Sequence, residues 1–446
     1  MFSKKSNSET SSVSLKKDFF KYVIPSVISM WVSALYIMVD GIFVSKGVGP
    51  EALASVNLTV PFVNLVFGIS VLFSIGASST ISAILGEGDR EKANKSFTMS
   101  ITFLTIISIL ISVFGYLFLD EISYLLGAKE NTIEMVKSYL KIIVFFSPFY
   151  MVSYALEVLI KVDGYPSLST IGVLISAITN IVLDYVFVFV FDWGIEGAGI
   201  ATGLARVFSF LFFTTHFLSR KSTLKLRRFK FKFDYIKKVT SIGLADCMTE
   251  LSTGLIILLF NQSILATIGD NGLVAYSIIS YINTLILSTM LGISQGLQPL
   301  SSYYKGKKDE KAIKDLLKIS IKTVFIFSVV ILLGCLCFGE FIVLMFIDKS
   351  DMSLFNYSLG VFRLFSVSFA LLGFNVVTSG FLSSIEKIKE AGIISISRGF
   401  IVIFLTIILS ICIFGGNGIW ISTILSELIV LIFSITRIRK ELKVRV

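Results

Sequence analysis

The chain is poor in charge, in histidine and in cysteine, and each shortage removes a class of protein. Only 16% of its 446 residues are charged, against about a quarter in a soluble domain. It has one histidine, His216, and four cysteines, Cys247, Cys335, Cys337 and Cys412. No CxxC or Cys/His metal spacing occurs, so neither zinc nor a disulfide framework is expected. No GxxxxGKS/T stretch is present, so nothing points to nucleotide as the energy source. The first fifteen residues are rich in Ser and Lys without an apolar core, and no cleavable signal peptide is expected.

What the chain has instead is apolar length. It is 54% hydrophobic, with a mean hydropathy of +0.86. A hydrocarbon core of about 30 Å takes roughly 20 apolar residues per helix. Runs of that length fall near 19–43, 53–84, 97–119, 132–160, 167–191 and 196–218, then near 239–267, 273–300, 316–346, 353–384, 392–414 and 418–436. The expected fold class is therefore an all-α polytopic membrane protein with twelve transmembrane helices.

The net charge is +10, and the basic residues sort by loop. They crowd the N-terminal tail (Lys4, Lys5, Lys16, Lys17), the 86–96, 220–238 and 305–315 loops, and the tail after Arg437. The intervening loops hold few, among them Lys46, Lys129, Lys137 and Lys349. Positive-inside bias then puts both termini and the long middle loop in the cytoplasm of a cell-membrane protein. The basic run at 220–233 reads as an orientation device facing anionic lipid headgroups, not as a nucleic-acid surface. His216, near the cytoplasmic end of the sixth span, reads as interfacial packing.

The sequence repeats itself. GEGDREKA (86–93) recurs as GKKDEKA (306–312), and EGAGIATG (196–203) recurs as GGNGIWIS (415–422), both about 220 residues apart. Two homologous halves follow, 1–220 and 239–446, joined by a basic linker at 221–238. Six spans per half make both enter from the same side, so the repeat is parallel, about an axis along the membrane normal. Two six-helix bundles around a cleft suit alternating access.

Ionisable residues within spans are costly and are functional candidates by default. In the first half these are Asp40 on span one and Asp184 on span five. Asn180 lies one turn before Asp184 on the same helical face. Thr202 adds a hydroxyl on span six, and Tyr36, one turn before Asp40, is placed to hydrogen-bond its carboxylate. Carboxylate, amide carbonyl and hydroxyl are hard ligands that suit an alkali or alkaline-earth cation. Two carboxylates in a low dielectric cannot both stay ionised without a cation or a shared proton. Either that, or they bind helices together through buried hydrogen bonds. Pro25 removes a backbone hydrogen bond from span one and permits a bend.

The second half does not duplicate this pair: Phe260 and Asn261 stand near the position of Asp40. Asp246 and Glu250 lie one turn apart on span seven, with Arg398 on span eleven and Glu427 on span twelve. Arg398 is a partner for Glu250 or Glu427, and Glu250 is a candidate for a cationic substrate or a second ion. Gln295, Gln298 and Pro299 near the end of span eight face the cleft or pack. Glu157, Arg206 and Arg363 are expected nearer helix ends, where long side chains reach water cheaply.

In order and spacing the chain resembles the multidrug and toxic compound extrusion family, in its bacterial DinF-like or MepA-like branch. The stretches that carry the resemblance are Pro25 to Asp40 running into DGIFVSKGVGPEALASVNLTVPF (40–62), IGASS to LGEGDREKA (75–93) and VDGYP (162–166). TNIVLD (179–184), EGAGIATG (196–203), TELSTG (249–254) and GISQGLQPLSSYYKGKKD (292–309) complete it. The resemblance implies a V-shaped pair of bundles and cation/drug antiport. It also implies a cation site at Asp40, Asn180, Asp184 and Thr202, bending of span one at Pro25, and a role for Glu250. The span-ten aspartate of some members is absent: GFNVVTSGFLSS (373–384) has only Asn375.

The function expected is secondary antiport, with no cofactor and no enzymatic activity, by a monomer. Small amphipathic, often cationic organic compounds leave as Na⁺ or H⁺ enters. One charge crossing 100 mV supplies about 2.3 kcal/mol. A flippase for lipid-linked saccharides would be expected to need a cationic cleft, and the interior cluster here is mainly acidic. An intramembrane aspartyl protease would need a GxGD context that Asp40 and Asp184 lack.

Overall fold

The computed structural model describes residues 12–130, 132–347 and 351–443; Lys4, Lys5 and Lys349 lie outside the described residues. Twelve helices among these are long and apolar enough to cross a membrane. The first six are α1 Ser12–Gly47, α2 Pro50–Gly86, α3 Arg90–Leu117, α4 Ile133–Val162, α5 Pro166–Asp184 and α6 Gly194–Leu218. The second six are α7 Phe233–Thr267, α8 Asp270–Gly306, α9 Glu310–Leu344, α10 Met352–Ser384, α11 Ile388–Phe414 and α12 Ile419–Lys443. Large apolar side chains such as Val113, Phe114, Leu117, Val330, Leu333, Phe338, Leu409 and Ile413 point outward, as lipid-facing helix surfaces require.

The repeated motifs do structural work. Asp89 accepts the Lys92 amide at 2.9 Å and Asp309 accepts the Ala312 amide at 2.9 Å, so each aspartate caps the third helix of its half. Such a cap satisfies one of the helix's orphan donors. The fifth span of each half carries a widened π-type turn, at Tyr185–Val190 after α5 and at Ser397–Ile401 within α11. Turns of this kind gather at functional sites.

The halves meet through exchanged pairs: α1 packs on α8, and α7 on α2. Glycines make this seam possible. A Cβ on Gly76 would lie 2.0 Å from the Val239 carbonyl oxygen, and one on Gly243 only 1.8 Å from that of Leu72. At the repeat-related Gly86 and Gly306 it would lie 2.0 Å from the Tyr303 and 1.9 Å from the Ala83 carbonyl oxygens. These contacts, with those of Gly292 and Gly296 on α8 against Val27 and Val23 on α1, sit in the parts of the four helices nearest the end that carries the N-terminus. Further along, the same helices expose Ile37, Val60, Leu258 and Tyr281. The two bundles thus form a V, closed at the N-terminal end and open at the other.

The connection between the halves is shorter than the sequence suggests, because α7 already begins at Phe233. It lies on the first half rather than free of it. Buried Asp163 accepts the amides of Thr223 and Leu224 at 2.8 and 3.1 Å. Asn94 and Thr98 accept the amides of Lys225 and Arg227, both at 2.9 Å. His216 is buried, not interfacial: its Nε2 lies 2.7 Å from Asp163.

Gly243→Val is expected to force the seam apart. In a background with Cys335, Cys337 and Cys412 replaced by serine, buried Cys247, one turn further along α7, should then react with maleimide at least about threefold faster. An unchanged rate would show that the glycine contact does not hold the halves together.

Candidate cation and cargo sites

Asp40 on α1 and Asp184 at the end of α5 are brought together with Asn180, within interaction distance of one another. Asn180 Nδ2 donates to Thr202 Oγ1 at 3.3 Å, which adds α6 to the group. Asn180 and Asp184 are 1% and 0% exposed. Yet Asp40 Oδ1, Asn180 Oδ1 and both carboxylate oxygens of Asp184 are buried without any hydrogen-bond donor. A carboxylate so placed costs several kcal/mol unless a proton or cation answers it, by order of magnitude. In front of them lies a cavity of about 210 Å³ walled by Asp40, Thr202, Tyr36, Tyr139, Tyr150 and Phe146, among others.

Two expectations are corrected here. Arg206 is midway along α6, not near a helix end, and it lines the same cavity. Its Nη2 donates to the Tyr36 hydroxyl, so Tyr36 is engaged by Arg206. The guanidinium also lies over the Tyr150 ring, 4.5 Å from its centroid. Glu157 is buried as well, with Lys161 Nζ at 4.0 Å and Ser169 Oγ at 3.5 Å. Of the three residues placed near helix ends, Arg363 is exposed. Hydropathy alone cannot see this, because a cation facing a protein cavity and one facing headgroups have the same neighbours in sequence.

The second half closes its equivalent region. Arg398 Nε donates to Glu427 Oε1 at 2.7 Å, which settles its partner as Glu427 and not Glu250. Asn375 Nδ2 donates to Glu427 Oε2 at 2.8 Å, and Ser434 donates to Asn375 Oδ1 at 3.0 Å. Both carboxylate oxygens of Glu427 are thus answered. Phe260 stacks on Tyr276 at 5.0 Å where a first-half counterpart would carry Asp40. The cavity left there is only about 50 Å³.

The model of the MatE family matches residues 25–186 and 248–414. The chain belongs to the MatE family. It is 24% identical over 416 residues to the multidrug export protein MepA of Staphylococcus aureus (strain bovine RF122 / ET3-1), covering 92% of this chain and 90% of that protein. To MepA of Staphylococcus saprophyticus it is 26% identical over 424 residues, covering 93% and 92%. Among solved structures, an outward-facing multidrug resistance MATE family transporter of the MOP superfamily superposes with a TM-score of 0.89. That match is at 22% identity over 95% of this chain and 96% of that one. A MatE protein is a membrane transport protein, not an enzyme.

Between the halves of this MatE protein, at the floor of the V, lie the acidic residues of α7. Asp246 Oδ1 accepts from Gln298 Nε2 at 2.9 Å, while Asp246 Oδ2 has no donor. Glu250 stands one turn further along, half-buried. Gln295 Nε2 reaches across the seam to the Tyr154 hydroxyl at 3.2 Å. Pro25 leaves α1 continuous, and its carbonyl accepts from Thr170 Oγ1 at 2.8 Å, which ties α1 to α5.

The two halves predict opposite responses to neutralising a carboxylate. Glu427→Gln leaves Arg398 buried without its charge partner and should cost about 3–5 kcal/mol. Asp184→Asn relieves two donorless carboxylates and should leave the thermal midpoint in cation-free detergent at or above that of the parent. Thermal unfolding of both variants checks this, and a large loss in Asp184→Asn would contradict it.

Proposed function

We propose that the protein is a cation-driven antiporter that exports organic, often cationic compounds by alternating access. The observation that carries this reading is the set of donorless oxygens of Asp40, Asn180 and Asp184 behind a cavity in the first half. Hard oxygen ligands left unanswered in an apolar bundle attract a small cation, Na⁺ or H⁺. The sealed Arg398–Glu427 pair supports placing the driving ion in the first half, since the second offers no free carboxylate among the described residues of its equivalent cavity.

Asp246 and Glu250 at the floor of the cleft are the proposed contacts for cationic cargo, with Gln298 positioning Asp246. Among the described residues no lysine or arginine is paired with either carboxylate. The basic loops all lie at the closed end of the V. With that end cytoplasmic, the structure is outward-facing, and Arg228, Lys230 and Lys232 of the pinned connection face anionic lipid headgroups. The MepA relatives are named as multidrug export proteins, which supports export as the direction. Pro25 is the proposed point at which α1 bends as the site fills.

Proteoliposomes loaded with ethidium and given an imposed Na⁺ or pH gradient test the driving ion. Asp40→Asn and Asp184→Asn should each reduce gradient-driven efflux at least about tenfold. Efflux at the parental rate with both neutralised would remove the site. A separate expectation concerns cargo. Glu250→Gln should raise the KM for ethidium about tenfold, with a smaller effect on an uncharged aromatic substrate.

A further inference from the structure

Arg206 makes no ion pair among the described residues, although it is half-buried in the bundle that holds Asp40 and Asp184; Glu157, a carboxylate within its electrostatic reach, lies beside Lys161 instead. Its contacts are the Tyr36 hydroxyl and the faces of Tyr150 and Tyr36, at 4.5 and 5.5 Å from the ring centroids. Aromatic faces compensate a guanidinium only in part, and an apolar side chain would fill the space between two tyrosines at lower cost. What sets this position apart is its place relative to the acidic group. Tyr36 precedes Asp40 by four residues on α1, and Arg206 follows Thr202 by four on antiparallel α6. The Tyr36–Arg206 layer therefore lies one helical turn, about 5.4 Å, from the Asp40–Thr202 layer. Both layers open into the same cavity of about 210 Å³, so a common space joins the guanidinium to the acidic group.

We propose that Arg206 is a tethered counter-cation of the ion site: when the coupling ion is absent its guanidinium leaves Tyr36 and pairs with Asp40, and the arriving ion sends it back. This rests on the reading of Asp40, Asn180, Asp184 and Thr202 as the ion site. Arginine suits the task because it stays charged at all relevant pH and its planar fork matches a carboxylate. Tyr36 and Tyr150 are then the resting place that holds the guanidinium when the ion is bound. The consequence is a weaker ion site, since each ion must displace a competitor already in the cavity. An antiporter gains from this, because an ion held by two buried carboxylates alone would be slow to leave.

The two partners of one hydrogen bond should then shift ion affinity in opposite directions. Arg206→Met removes the competitor; Tyr36→Phe removes the acceptor that keeps it away from Asp40. The full-length chain, with Trp193 and Trp420 replaced by phenylalanine, is titrated in two arms, with ²²Na⁺ by equilibrium dialysis and with acid in Na⁺-free buffer, following Trp31 emission on α1. In whichever arm the parent responds, Arg206→Met should tighten half-saturation about tenfold, and Tyr36→Phe should weaken it about threefold. Arg206→Lys, which keeps the charge, should stay closer to the parent than Arg206→Met. If both variants weaken binding, or neither moves it, Arg206 only props the tyrosines and the proposal is overturned. A parent silent in both arms overturns the ion-site reading itself, and this one with it.

Discussion

A polar atom inside an apolar helical bundle has to be answered from within the protein, because neither lipid nor packed side chains will do it. This constraint shapes most of the structure. Serine and threonine hydroxyls return to carbonyls three or four residues back along their own helices, as Thr80 does to Gly76 and Thr249 to Ala245. Asp163 is answered by the amides of Thr223 and Leu224 and by His216. Glu427 is answered by Arg398 and Asn375. Against that background the donorless oxygens of Asp40, Asn180 and Asp184 gather at one point, and both carboxylate oxygens of Asp184 are among them. Such a gathering of carboxylate and amide oxygens is where a cation would be answered best.

The duplicated scaffold and the unduplicated chemistry divide the work. Both halves reuse the same helix caps, at Asp89 and Asp309, and the same glycine contacts, at Gly86 and Gly306. Both put a widened turn in the fifth span. The backbone solution is thus symmetric, and it delivers two bundles that share one seam. The side chains inside them are not symmetric. One bundle keeps a cavity with open acceptors, and the other fills the corresponding space with an ion pair and stacked aromatics. Asn375 shows why the second cannot simply be converted: an aspartate there would face Glu427 across about a hydrogen-bond distance.

The seam and the cavity are mechanically linked through α1. Its N-terminal portion, at Val23 and Val27, lies against Gly296 and Gly292 of α8, and its far portion carries Tyr36 and Asp40. Pro25 sits between the residues of that contact, with its carbonyl held by Thr170 of α5. One helix therefore joins the contact that closes the V to the carboxylate that faces the cavity.

Much of this was legible in the residues themselves. Twelve apolar runs and a period of about 220 residues determined a twelve-helix chain in two parallel halves, because hydrophobic length and repeat are local properties. Asp40, Asn180, Asp184 and Thr202 were conspicuous for the same reason: polar groups in apolar runs are visible one helix at a time. Tertiary structure alone decided which of them meet and what answers each. It paired Arg398 with Glu427 through α11 and α12, buried Glu157 beside Lys161, and moved Arg206 from a supposed helix end into the cavity with Asp40. The physical reason is that the direction a side chain faces within a bundle, and whether a donor waits there, depends on neighbouring helices that are far away in sequence.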